Sequence, residues 1–180
     1  MEACNWDRDE LMAVLFRETD RVQRMKTPLA VMLMGVTLDC VEPRNGSDHE
    51  QVLRRVGECT GRLLRSYDFC GRSGANELLL ILPGCTAGNA VLLAGRIGLE
   101  IAGMEFQAEG SRISVSACLG IAMSAGRSPL VVLREAEVAL HRTGERGGAA
   151  IECFGQVEKF LEDEIREQAP LSGEPDCAAF

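Results

Sequence analysis

Residues 68–84 constrain the fold most. Two strand-length runs, about Asp68 to Arg72 and Glu77 to Leu82, flank Ser73-Gly74-Ala75-Asn76, and Pro83-Gly84 closes the second run. Small turn-forming residues between such runs predict a β-hairpin. A hairpin needs further partners to bury its faces, and the flanking sequence supplies them. Asp9 to Lys26 places Leu11, Leu15, Val22 and Met25 at amphipathic helical spacing, and Thr27-Pro28 stops it. Leu29 to Val36 is continuously apolar and short, the pattern of a buried strand. Residues 39–48 carry loop chemistry, and Glu50 to Ser66 reads as a second helix.

Beyond the hairpin, Thr86 to Met104 predicts a helix and Arg112 to Met123 a strand. Pro129 to Arg142 predicts another helix, with Pro129 suited to its first turn. A turn over Gly144 to Gly148 leads to a short strand from Ala149 to Phe154. Gln156 to Gln168 predicts a last helix with Val157, Phe160, Leu161 and Ile165 on one face, and residues 169–180 have the composition of a disordered tail. The order α-β-α-β-β-α-β-α-β-α implies one layered α/β domain over residues 1–154, a central sheet flanked by helices. The amphipathic helix (155–168) and tail (169–180) follow it.

Charge and cysteine usage narrow the function. The formal charge is −8 over 180 residues. Residues 155–180 hold seven acids against two bases, so the acidity is concentrated there. An acidic chain is not expected to bind nucleic acid through phosphate neutralisation, but a local arginine cluster remains compatible with a small phosphate ligand. No run approaches the roughly 18 apolar residues of a membrane span. The polar, acidic start Met1-Glu2-Ala3-Cys4 is unlike a secretory signal, so a cytoplasmic location is expected. The eight cysteines form no Cys-x-x-Cys pair, so no metal site is expected and reduced thiols are.

Three motifs in order resemble the GGDEF domain, the bacterial diguanylate cyclase family. Arg72-Ser73-Gly74-Ala75-Asn76-Glu77-Leu78 stands where the family has Arg-Tyr-Gly-Gly-Asp/Glu-Glu-Phe. Val115 to Ala122 is similar to its Val-Thr-Val-Ser-Ile-Gly-Val-Ala strand, and Ala136 to Ala149 to its Ala-Asp-x-Ala-Leu-Tyr-x-Ala-Lys-x-x-Gly-Arg-Asn segment. The resemblance covers about residues 9–154 and implies the GGDEF-like, nucleotidyl cyclase-like fold. In the family, two GTP molecules are joined by chemistry that depends on metal-bound carboxylates. At the matching positions this chain has Gly35 and Asn76 instead of aspartate or glutamate, with Glu77 kept. Ala75 replaces the second signature glycine, Gly144 the phosphate-binding lysine and Gly148 the arginine. The guanine-reading residues are not recognisable between Asp39 and Gln51. Gly74, Ala75, Asn76, Glu77 and Leu78 are therefore expected to be a degenerate signature, with no catalytic residue, no cofactor and no enzyme activity.

The same resemblance implies a retained regulatory site. Arg65-Ser66-Tyr67-Asp68 lies five residues before Gly74, the family's spacing for the Arg-x-x-Asp motif that binds cyclic di-GMP, and Arg96 matches a further arginine recruited by that site. The expected function is a non-catalytic receptor for cyclic di-GMP that uses Arg65, Asp68 and Arg96 to regulate a protein partner of unknown identity. Because the ligand is two-fold symmetric, a homodimer is also expected. A competing reading is a ligand-independent interaction module, docking through the apolar face of residues 156–168. A weaker one is residual GTP binding at Gly74 and Glu77.

Overall fold

A computed structural model of the protein describes residues 6–39, 46–108, 111–146 and 150–154. The expected helix at 156–168 and the tail beyond it lie outside the described residues. The elements are α1 (Arg8–Met25), β1 (Leu29–Asp39), α2 (Gly46–Leu63), β2 (Phe69–Arg72), β3 (Glu77–Pro83), α3 (Ala87–Ala102), β4 (Phe106–Ala108), β5 (Ser111–Met123), α4 (Pro129–Arg146) and β6 (Ala150–Cys153). The sheet order is β2-β3-β1-β5-β4, with β6 pairing parallel to β5. The other pairings are antiparallel. Among the described residues no helix is long and apolar enough to cross a membrane.

The sheet divides two apolar layers. Alternate residues of β1 show this: Met32 and Met34 join a cluster with α2 and α3, while Val31 and Leu33 join a second with α1 and α4. A strand covered on both faces must be apolar at every position, which is why Leu29 to Val36 reads as a continuous run. Gly120 of β5 is where α4 comes closest. A Cβ there would collide with the Ala136 carbonyl and the Leu140 amide, and would lie 2.8 Å from Leu140 Cα. Gly71 of β2 similarly admits Trp6, whose carbonyl accepts from the Arg72 N–H at 3.1 Å.

Several boundaries differ from the sequence reading. α1 begins at Arg8 because Asp7 caps it: the Asp7 carboxylate accepts from the Glu10 N–H at 2.9 Å, and Glu10 Oε2 accepts from the Asp7 N–H at 3.0 Å. α2 starts at Gly46, inside the expected loop. α4 continues to Arg146, through Gly144, where a turn was expected. The strand β4 was not expected at all. It is only three residues long, too short to show a period of its own, and it exists by pairing with Ser111–Ile113. Cys70 departs from the expected reduced thiols because it is disulfide-bonded, whereas Cys59 and Cys85 are free.

Candidate functional site

Two clefts bear on function. The first lies between the end of α2, the turn before β2 and the outer side of α3. α2 stops at Leu63, three residues earlier than its periodicity suggests, so Arg65 to Asp68 form a tight turn instead of a helix end and a strand start. Asp68 Oδ2 accepts from the Arg65 backbone N–H at 2.8 Å, and the Asp68 N–H donates to the Arg65 carbonyl at 3.1 Å. This is the aspartate turn chemistry that lets a short polar side chain replace a helical hydrogen bond. The motif therefore fixes its own backbone, and the two side chains are not locked in a direct ion pair.

The cleft encloses about 350 Å³ and is lined by Arg65, Asp68 and Arg96 together with Leu63, Cys85, Asn89 and Leu92. That volume is at the lower end of small-molecule sites, about 300–1,000 Å³. Arg65 is exposed, and its Nη1 donates to the Tyr67 hydroxyl at 3.1 Å while the guanidinium stands 5.8 Å from the Tyr67 ring centre. These contacts raise the Arg65 pKa, the hydrogen bond to Tyr67 foremost. Burial raises the Asp68 pKa, opposed by the Arg65 N–H hydrogen bond and by the Arg65 charge. Burial also raises the Cys85 thiol, and the Asp68 charge adds to the shift. Arg96 is exposed and makes no ion pair with any described residue. Tyr67 is half-exposed in the turn and holds Arg65.

The second cleft, about 510 Å³, lies at the hairpin end of the sheet. Gly35, Asn76, Glu77, Glu137, His141 and Gly144 are among its lining residues. The positions singled out in β1, the signature turn and α4 thus converge in space. Backbone bonds hold the turn: Glu77 O accepts from the Ser73 N–H at 2.9 Å, and Asn76 O from the Val36 N–H at 2.9 Å. Gly74 lies against Glu77, whose Oε2 would be 3.3 Å from an added Cβ. Arg72 is more than a strand-end charge, since its Nη1 donates to both Glu50 carboxylate oxygens at 2.6 and 2.7 Å and its Nη2 to Ala75 O at 3.2 Å. His141 and Glu137 escaped notice as site residues. His141 is exposed, because α4 turns that side towards the hairpin.

Among the described residues no three His, Cys, Asp or Glu side chains gather as a metal-binding group. In the second cleft Glu77 offers a carboxylate and Asn76 only a neutral amide oxygen, while Glu137 already accepts from Arg134 Nη1 at 3.0 Å. Magnesium favours several hard oxygens in near-octahedral array, and this donor set does not fit it as it stands.

The sequence profile of the family described as "Diguanylate cyclase, GGDEF domain" matches residues 6–150, most of the chain. The chain belongs to the GGDEF family. Among curated proteins it is similar to diguanylate cyclase DosC of Escherichia coli strain K12, 25% identical over 152 residues. That match covers 82% of this chain and 33% of DosC, so the chain spans about a third of that relative. The GGDEF domain of DgcB from Caulobacter crescentus, solved in complex with c-di-GMP, superposes with a TM-score of 0.72 at 17% identity, over 82% of this chain and 88% of that one. Diguanylate cyclase SiaD from Pseudomonas aeruginosa, solved with its activator SiaC, gives a TM-score of 0.71 at 22% identity, over 81% of this chain and 57% of that one. These findings bear out the GGDEF fold. They overturn the expectation that the chain is not an enzyme, since its family and its relatives are diguanylate cyclases, which are enzymes. Replacements at single ligand positions, read from one sequence, did not warrant that conclusion.

Proposed function

We propose that this GGDEF domain binds cyclic di-GMP in the cleft of Arg65, Asp68 and Arg96 and passes its occupancy on to a protein partner. The observation that carries the reading is the convergence of those three side chains on one cleft, although 31 positions separate Arg65 from Arg96. The two guanidinium groups suit phosphate oxygens or the O6 and N7 edge of guanine. The Asp68 carboxylate suits the N1 and N2 hydrogens of guanine, and no described side chain donates to it. Leu63 and Leu92 supply apolar walls for the base. The c-di-GMP complex of DgcB and the SiaD–SiaC complex support a dinucleotide ligand and a protein partner respectively. A symmetric ligand held by two copies would also join them as a dimer.

Calorimetric titration tests this reading. Cyclic di-GMP should bind with micromolar or tighter affinity, and Arg65→Ala should remove the heat while leaving the circular dichroism spectrum intact. No heat at high ligand concentration would sink the proposal. Sedimentation with and without the dinucleotide reads the dimer.

A further inference from the structure

A third cleft lies at the end of the sheet away from the hairpin turn. There Leu29 of β1 pairs with Pro83 and Ala30 with Met123, whereas Gly35 pairs with Glu77 at the other end. The cleft encloses about 660 Å³ and shares no lining residue with the other two. Three chain turns build it: the C-terminus of α1 at Gln23 and Lys26, the turn after β5 at Ser124, and the N-terminus of α3 at Thr86 and Ala87. None of the described residues lining it is acidic.

Two observations point to an anion. One is the start of α3. Its first turn holds no acidic residue, and the Ala87 and Gly88 N–H groups meet no acceptor among the described residues. Such groups carry the positive end of a helix dipole. Thr86 Oγ1 accepts from the Asn89 N–H only at 3.4 Å, longer than a normal N–H···O bond. A Cβ added at Gly88 would meet nothing within 4 Å, so a ligand can approach the backbone closely. The other observation is Ser124, which lines the cleft and is 1% exposed. Its hydroxyl has no hydrogen-bond partner among the described residues. The Ser124 backbone is fixed: its N–H donates to Leu29 O at 2.9 Å, and its carbonyl accepts from the Arg127 N–H at 2.8 Å. A buried hydroxyl in that state gains most from a polar group seated beside it.

Lys26 supplies the charge. It is exposed at the left-handed C-cap of α1 and pairs with no described carboxylate. Its ammonium also offsets the negative end of the α1 dipole. Val22, Pro28, Leu29 and Met123 add an apolar wall.

We propose that this cleft binds a small phosphomonoester. Its phosphate sits at the N-terminus of α3 between Lys26, Thr86 and Ser124, and its organic part lies against Val22, Pro28 and Met123. A phosphate offers acceptors to the Ala87 and Gly88 N–H groups, to both hydroxyls and to the ammonium. A simple anion uses only the charge, whereas the ester also gains from covering the wall. The site does not depend on the binding of cyclic di-GMP. Cys85 and Asn89 line the cleft of Arg65 and Asp68, while Thr86 and Ala87 line this one.

Amide NMR of the full chain tests the proposal, with inorganic phosphate and phenyl phosphate as probes and sodium chloride at matched ionic strength as the control. Phosphate should displace the Ala87 and Gly88 resonances along a saturating curve. Phenyl phosphate should bind at least about threefold more tightly, the gain from covering part of the wall. Lys26→Gln and Ser124→Ala should each weaken phenyl phosphate at least about threefold, the loss of one charge-assisted hydrogen bond, with the resonances of β1 unmoved. Arg65→Ala should leave the titration unaltered. Displacements reproduced by chloride, or abolished by Arg65→Ala, overturn the site. Equal binding of the two probes overturns the ester. Unchanged binding in either the Lys26 or the Ser124 variant overturns the seat assigned to the phosphate.

Discussion

The two clefts differ in how their charges are committed. At the hairpin end, Arg72 is held by both oxygens of Glu50 and by Ala75 O, and Glu137 accepts from Arg134. At the turn before β2, Arg65 leans on a neutral phenol, Asp68 is bound to a backbone amide, and Arg96 has no described ion-pair partner. Beside the hairpin cleft, the protein's own ion pairs take up Arg72 and Glu137. In the cleft of Arg65, Asp68 and Arg96 the charges are positioned by local contacts that leave them available. An anionic, base-bearing ligand gains most where cations are held in place without being neutralised.

The comparison breaks most completely if the frame beneath the hairpin cleft is disturbed. Gly120→Ala pushes a methyl into the α4 backbone that carries Leu140 and His141. It should cost about 1–3 kcal/mol or more, visible as a lowered Tm in thermal denaturation, because a backbone obstacle cannot rotate aside. Next in size is the cleft of Arg65, Asp68 and Arg96, under the binding proposed for it. Arg96→Ala should weaken cyclic di-GMP by about 1.5–3 kcal/mol, the range for hydrogen bonds to charged groups. Glu77→Gln at the other cleft should leave that affinity within twofold by calorimetry. Equal losses from the two variants would erase the distinction between the clefts.

The pH profile sharpens it further. Burial raises the Asp68 pKa, and the carboxylate must be ionised to accept from guanine. Cyclic di-GMP affinity should therefore fall on acidification, starting at a higher pH than for an ordinary aspartate, and Asp68→Asn should flatten the profile. For stability the sign is opposite. A carboxyl whose folded pKa is raised binds more protons folded than unfolded, so its contribution diminishes as pH rises through that window. The smallest effect belongs to Arg72→Ala. Its pair with Glu50 is substantially exposed, so the loss should be no more than about 1 kcal/mol in denaturant unfolding, with dinucleotide binding unchanged.

How much was legible follows from the range of each signal. The runs at Leu29–Val36 and, directly after Glu77, Leu78–Leu82 announced strands because burial on both faces demands apolar side chains along them. The three-residue β4 gave no such signal, since its pairing with β5 was what made it a strand. The end of α2 was misjudged because the Asp68 turn overrides a helical pattern running to Ser66. Arg65 and Asp68 were singled out by their distance from Gly74, and Arg96 by family likeness. Asn89 and Leu92 were not recognised as cleft residues, because nothing in a helix sequence says which side will face a cleft.

The amino-acid order by itself settled the alternation of helices and strands, the hairpin and the family, because each is written in local periodicity or short motifs. Only the tertiary structure decided which charges are spent on neighbours, that Tyr67 holds Arg65, and that α3 turns Leu92 and Leu99 to solvent. Those outcomes depend on how layers packed through the sheet orient side chains distant in sequence, and a one-dimensional pattern does not carry that orientation.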